Sequence, residues 1–257
     1  MKTGANIHTV RGNVVHSILE HFFDTNLSGL NNDNYQKAFQ LELQRLLLKF
    51  WGDAKPKFDG LNIPEEELQF YFEETLLMLL NWLEKFNTRL TEHPSENFAD
   101  SFKALTPIRE KGYINQDLQV RGFIDAIEGK EGDIRLMDYK TSKRFKMSEE
   151  YKLQLGIYAL LYKKAHGEIP KYVGIYFLKD TDKHEHILEV DDNLLKKAQY
   201  EIELIHMSTN SNNINDYPKR ESPLCKWSTG QCDFYDICFK QKTLDQFEVR
   251  VDTKKLE

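Results

Sequence analysis

Between Thr106 and Tyr139 three short apolar-rich segments follow one another with only brief turns between them, and this spacing constrains the fold more than any other feature. Thr106 to Ile114, Leu118 to Glu128 and Asp133 to Tyr139 are parted only by Asn115-Gln116-Asp117 and Gly129-Lys130-Glu131-Gly132. Connections that short join consecutive antiparallel strands. Ser148 then reads as an N-cap with Glu149 and Glu150 behind it, opening a helix to about Ala165. Tyr172 to Leu178 reads as a strand, His186 to Val190 as another, and Asp191-Asp192 precede a helix ending near Met207.

The chain ahead of this block is helical. Val10 to Phe23 carries Val14, Val15, Ile18, Leu19, Phe22 and Phe23 at helical spacing, and Asn26, Ser28 and Gly29 stop it. A second helix spans about Asn34 to Phe50. A third opens after Pro64, with Glu65, Glu66 and Glu67 suiting the helix dipole in its first turn, and runs to about Leu90. Ser208 to Asp216 reads as a linker-like loop, followed by a cysteine-bearing segment and a polar tail. The expected organisation is an α/β domain over residues 1–207, with a helical insertion at about 30–100, and a C-terminal cysteine-rich piece over 208–257.

Charge narrows function only slightly. The net charge of −6 argues against a protein that coats nucleic acid, which needs a basic face. It leaves room for an enzyme acting on nucleic acid, because clustered carboxylates that hold divalent metal also make a chain acidic. Lys140, Lys143, Arg144 and Lys146 form a local basic strip that reads equally as strand guidance or as a solvated face. No apolar run reaches the roughly 18 residues of a membrane span, and no secretory h-region follows Met1-Lys2-Thr3-Gly4, so no membrane partner and a cytoplasmic location are expected.

Chemistry concentrates at Asp138-Tyr139-Lys140, at the end of the third strand segment. Residues i and i+2 share one face of a strand, so Asp138 and Lys140 project together. Asp125 closes Gly122-Phe123-Ile124-Asp125 on the preceding strand, and a tight hairpin brings it within reach of Asp138. Paired carboxylates suit Mg²⁺ or Mn²⁺, and an adjacent ammonium can orient water and stabilise charge on a phosphoryl group. An isolated Asp-x-Lys is a common surface pair on an edge strand; the residues around this one set it apart.

Gly122-Phe-Ile-Asp125, Asp138-Tyr-Lys140-Thr and Gln154-x-x-x-Tyr158, taken in order, resemble the PD-(D/E)XK nuclease superfamily. Arg11-Gly12-Asn-Val-Val-His16 resembles the Gly-x-x-x-His helix of its RecB-like branch, which includes the AddB nuclease domain and the CRISPR-adaptation exonucleases. The resemblance implies a restriction-endonuclease-like αβββαβ core with a mixed sheet. It makes His16, Asp125 and Asp138 metal ligands, with the Tyr139 carbonyl completing the set, and Lys140 the catalytic lysine. Glu110 falls where many members carry an acidic residue for a second metal or water, and Gln154 and Tyr158 would support the site and contact DNA. Ile124 stands where the superfamily name has proline, as is usual in this branch. Taken singly, His16 could be a satisfied histidine on a helix border, Glu110 a solvated strand-end charge, and Gln154 and Tyr158 the cap of a packed helix.

Cys225, Cys232 and Cys238 resemble the late half of that branch's iron–sulfur staple, which joins three late cysteines to one early one around a 4Fe–4S cluster. No early cysteine precedes Gly12. Three readings stay open: a natural chain that begins earlier, a non-cysteine fourth ligand, or zinc ligands and plain thiols, with Trp227, Phe234 and Tyr235 as packing shell in each case. His184 and His186 read as solvent-facing for want of a third ligand. The resemblance implies a metal-dependent deoxyribonuclease, an exonuclease on single strands or duplex ends, in repair, recombination or CRISPR-type processing. Any helicase motor or recombination partner would be a separate chain, since no Gly-x-x-x-x-Gly-Lys-Ser/Thr occurs. A non-catalytic DNA-end binding module and a structural iron–sulfur protein are the competing readings.

Overall fold

The structure, a computed structural model, describes residues 6–129, 132–143, 145–227 and 230–239. Contacts divide the chain into residues 7–210 on one hand and 1–6 with 211–257 on the other. In the larger unit, four helices come first: α1 (Ile7–Phe22), α2 (Tyr35–Asp59), α3 (Glu65–Glu92) and α4 (Phe98–Leu105). Strands β1 (Ile108–Asn115), β2 (Val120–Glu128) and β3 (Arg135–Lys140) follow, then α5 (Glu149–His166), β4 (Tyr172–Phe177), β5 (Glu185–Glu189) and α6 (Asp192–Ser208).

The five strands lie in the order β1-β2-β3-β4-β5, with β3 and β4 parallel and every other pair antiparallel. This is the αβββαβ element order read along the chain and the mixed sheet that the resemblance implies; the β3–β4 connection is the one long enough to carry a crossover helix. Gly129 turns the chain out of β2 at φ 91°, where a Cβ would meet the Asp133 carbonyl oxygen at 2.2 Å. Ser148 caps α5 by accepting the Tyr151 N–H, Gly167 ends it at φ 77°, and Asp191 caps α6 by accepting the Leu194 N–H. β3 is therefore a central strand, and the edge-strand reading of Asp138 and Lys140 fails.

Each face of the sheet buries its own core. Leu136, Val173, Ile175 and Phe177 pack under Leu155, Ala159 and Leu161 of α5 and under Leu195, Ala198 and Ile202 of α6. Met137, Tyr139, Tyr176 and Leu178 belong to the core shared with α1 to α4. That second core centres on Phe22, whose ring meets Phe39, Trp82, Phe86 and Phe102 with centroids 5.0 to 6.2 Å away, the separations at which aromatic rings attract edge-on. The N-terminal helices thus clamp α1 against the sheet.

Several local readings need correction. The second helix continues past Phe50 through Gly52 and Pro56 to Asp59, because Trp51, Ala54 and Phe58 prolong its packed face; Trp51 lies 4.6 Å from Phe58 and 5.2 Å from Phe72 between centroids. Helix α4 stands between the third helix and the first strand, where the sequence pattern marks no element; Asn97 caps it and Phe98 and Phe102 bury into the aromatic core. The first helix begins at Ile7 rather than Val10, and a short 3-10 turn, Ile214–Asp216, interrupts the linker. Asp125 sits within β2, which runs on to Glu128. His184 and His186 are not solvent-facing. The turn after β4 folds back so that Asp180 accepts the Asp182 and Lys183 N–H groups, which draws both histidines inward. His184 is buried against the Asp180 carbonyl, and His186 lies 3.6 Å from the Asp180 carboxylate with its ring against Phe177. Burial lowers the His184 pKa, so its ring is held neutral.

In the smaller unit, β6 (Lys226–Trp227) pairs with β7 (Gly230–Gln231), and a one-turn helix α7 (Tyr235–Phe239) follows. Cys225 and Cys232 are half-buried and Cys238 is exposed. The Cys232 N–H donates to the Cys225 carbonyl at 3.0 Å. Among the described residues the three sulfurs do not form a set of ligand atoms close enough to hold a single ion. Arg144 and the Trp227 side chain lie outside the described residues.

Candidate active site

Ladder hydrogen bonding between β2 and β3 covers only Ala126↔Met137 to Glu128↔Arg135. Beyond it the Tyr139 N–H donates to Asp125 Oδ2 at 2.8 Å, so a side-chain carboxylate takes over from the backbone where the strands part. On β1, Glu110 has φ 45°, a left-handed conformation that a non-glycine residue adopts at a cost of about 1–3 kcal/mol. The twist turns Glu110 toward α1. Helix α1 crosses above these strands, and His16 reaches down: its Nδ1 lies 3.4 Å from Asp125 Oδ2 and 3.6 Å from Glu110 Oε1, and its Nε2 lies 3.0 Å from the Tyr139 carbonyl oxygen.

Asp138 and Lys140 occupy the face of β3 that α5 covers. Lys140 Nζ stands 2.7 Å from Asp138 Oδ2. Asp138 Oδ1 accepts from Gln154 Nε2 at 3.0 Å and from the Tyr158 hydroxyl at 3.4 Å, while Gln154 Nε2 also donates to the Tyr158 oxygen at 2.8 Å. Gln154 and Tyr158, four residues apart, share one helix face, which is how two side chains of α5 reach the same carboxylate. The result is a closed triangle that fixes one oxygen of Asp138 and leaves the other to the lysine. Tyr151, which the motifs do not include, lies one turn earlier on α5 with its ring 5.5 Å from the Lys140 ammonium. Its i−3 spacing from Gln154 is the signal that would have singled it out.

Electrostatically the site is short of cations. Asp125 and Asp138 are both buried, and Glu110 stands beside them. Burial, then repulsion from Asp125, raise the Asp138 pKa against the pull of Lys140 and His16. Burial alone would lower the His16 pKa, but hydrogen bonds to Asp125 and Glu110 outweigh it and push it up to about 10. The ring is thus held as an imidazolium between carboxylates. Burial and the neighbouring Asp138 also raise the Tyr158 pKa, so its hydroxyl stays protonated and can donate.

This donor set fits a divalent cation. One ligand atom each from His16, Glu110 and Asp125 lie within 4.8 Å of one another. Asp138 Oδ2 is buried with no hydrogen bond of its own, only the ion contact to Lys140. Oxygen-rich sets with one imidazole suit Mg²⁺ or Mn²⁺. The tight three-residue group contains Glu110 rather than Asp138, which lies one step away across the β2–β3 gap. All the residues singled out in the larger unit therefore meet in one place; the cysteines belong to the smaller unit.

A sequence model described as the PD-(D/E)XK nuclease superfamily matches residues 2–239. No curated protein matches the chain. Among solved structures, a crystal structure described as a "putative exonuclease" from Eubacterium rectale resembles it with a TM-score of 0.47 at 13% identity, over 100% of this chain and 82% of the other.

Proposed function

The chain belongs to the PD-(D/E)XK nuclease superfamily, and from that premise we propose that it hydrolyses phosphodiester bonds in DNA with one or two Mg²⁺ or Mn²⁺ ions held by His16, Glu110, Asp125, Asp138 and the Tyr139 carbonyl. A divalent cation there would polarise the scissile phosphate and make water a better nucleophile. The protein's own residues do the rest. Lys140, steadied between Asp138 and the Tyr151 ring, places an ammonium where attacking water and developing phosphoryl charge need a donor. Gln154 and Tyr158 keep Asp138 from rotating. Asp125 ties the two strand tips together through the Tyr139 N–H, so the ligands of α1, β2 and β3 keep a common spacing.

The observation that carries this reading is the joint placement of His16, Glu110 and Asp125 within one ligand-sized space beside the Asp138–Lys140 pair. The Gly12–His16 helix and the Gln154–Tyr158 pair favour the RecB-like branch, and with it an exonuclease acting on single strands or duplex ends in repair, recombination or CRISPR-type processing. Among the described residues no helix is long and apolar enough to cross a membrane. Labelled single- and double-stranded DNA incubated with Mg²⁺, Mn²⁺ or EDTA tests the proposal. Metal-dependent cleavage lost in Lys140→Ala and Asp138→Asn, with circular dichroism unchanged, is the expected outcome. Wild-type rates in either variant would refute it.

A further inference from the structure

A second group of charges lies beside the strand tips and plays no part in the chemistry above. Arg11, on α1, is 2% exposed and pairs with Glu74 of α3. Lys179, one residue past the strand-end bond from Leu178 N–H to the Lys140 carbonyl, lies 2.7 Å from the same Glu74 carboxylate. Lys143, three residues beyond Lys140, lies 3.9 Å from it and is largely exposed. Three cations therefore share one carboxylate. Arg11 Nε is buried without a hydrogen bond, so a donor that costs free energy to bury is left over, and the ion partner of Lys179 Nζ is Glu74. A bridge built only to tie α1 to α3 needs one cation for its anion. The surplus here is two positive charges, in an otherwise acidic protein.

We propose that Arg11, Lys179 and Lys143 form a phosphate-binding subsite for the nucleic-acid strand, in which the Glu74 carboxylate occupies the anion position until substrate displaces it. This rests on the nuclease reading for its ligand, though not for its geometry. Arg11 does not depend on Glu74 to keep its place, because its guanidinium also lies 5.1 Å from the centre of the Tyr71 ring. A guanidinium matches a phosphate as it matches a carboxylate, through paired N–H donors. Lys143 marks the open side through which a strand enters. Glu74 is held ionised: burial would raise its pKa, but Lys179 and Arg11 outweigh that and lower it. His8, exposed near the same group, has its pKa lowered by burial and then by Arg11 and Lys179, as a net positive field requires. Arg11 precedes His16 by five residues, about 7.5 Å along the helix at 1.5 Å per residue. Five residues also turn the helix by about 140°, so Arg11 and His16 leave different sides of α1; what keeps the charge group beside the site is Lys179 and Lys143, which follow the paired strand ends at Leu178 and Lys140.

The phosphate can be a terminal monoester or an internal diester, and oligonucleotides with a 5′-phosphate, a 3′-phosphate or only hydroxyl ends distinguish them. Binding is read by fluorescence anisotropy in EDTA, in a Lys140→Ala background, so no cleavage is needed and failure of the nuclease reading would show separately in the wild-type assay. The expected result is that Glu74→Gln tightens binding at least fivefold and that Lys143→Ala, an exposed substitution that spares the fold, weakens it and lowers the salt slope by about one. Preference for one phosphorylated end identifies a terminal phosphate; equal binding of all three identifies a backbone phosphate. Unchanged affinity and salt slope in both Glu74→Gln and Lys143→Ala would overturn the proposal, as would weaker binding in a folded Glu74→Gln protein.

Discussion

The Tyr139 N–H donates to Asp125 Oδ2 rather than to a backbone carbonyl of β2. One hydrogen bond thereby couples the two motif strands and opens them just where the sheet must present its ligands. Glu110 completes the distortion from β1, and His16 closes it from above.

Glu110 stores backbone strain at this point, and replacing it should separate stability from activity. In Glu110→Gly the left-handed conformation costs nothing, while glycine's extra unfolded-state entropy costs about 0.5–1 kcal/mol. The melting temperature is expected to hold or rise, with cleavage falling at least 100-fold. A thermal melt run beside the cleavage assay checks this; a clear loss of stability would mean that Glu110 is a structural residue.

What the sequence made legible was local. Ser148 and Asp191 announced their helices because an N-cap is a short-range hydrogen bond, and the antiparallel pairing of the first three strands followed from turn lengths. Asp138 and Lys140 could be set on one face because strand periodicity is fixed. What stayed hidden needed long-range contacts. The second helix runs past Phe50 to Asp59 because Trp51 and Phe58 pack on one another, a contact that local pattern does not show. Two turns of α4 carry too little periodicity to stand out. The grouping of Glu110 with His16 depends on a φ of 45° that no residue pattern specifies, and the inward turn of His184 depends on how Asp180 shapes its loop.

Metal binding should release a proton. His16 is protonated at neutral pH in the metal-free site, and a coordinating histidine must be neutral. Because its pKa is raised to about 10, the exchange becomes easier as pH rises toward that value and harder as it falls. Titration calorimetry in buffers of different ionisation enthalpy should give release of about one proton per site near pH 7, and affinity should climb between about pH 6 and pH 9. Heats independent of buffer would count against His16 as a ligand.

Behind the sheet, Arg89 donates to both oxygens of buried Glu128 at 3.1 and 3.2 Å and to the Tyr176 hydroxyl at 2.8 Å. Tyr176 stacks on Tyr139 with 5.3 Å between centroids, so this network backs the strand that carries the site. Arg89→Met leaves Glu128 with the Tyr176 hydroxyl, which donates to it at 2.9 Å, and Arg135, 3.6 Å away, and should destabilise by about 2 kcal/mol, less than a fully buried pair would lose. At this chain length that is a fall in melting temperature of about 4–8 °C. A change within 1 °C would show that the network contributes nothing to stability.

Pulsed electron paramagnetic resonance of the Mn²⁺-loaded protein bears on the metal centre most directly, since it reports which nitrogen the ion touches. One histidine nitrogen coupling is expected, lost in His16→Ala and kept in His184→Ala. A coupling that survives His16→Ala, or none in the wild-type protein under saturating Mn²⁺, would contradict a centre built from α1, β1, β2 and β3.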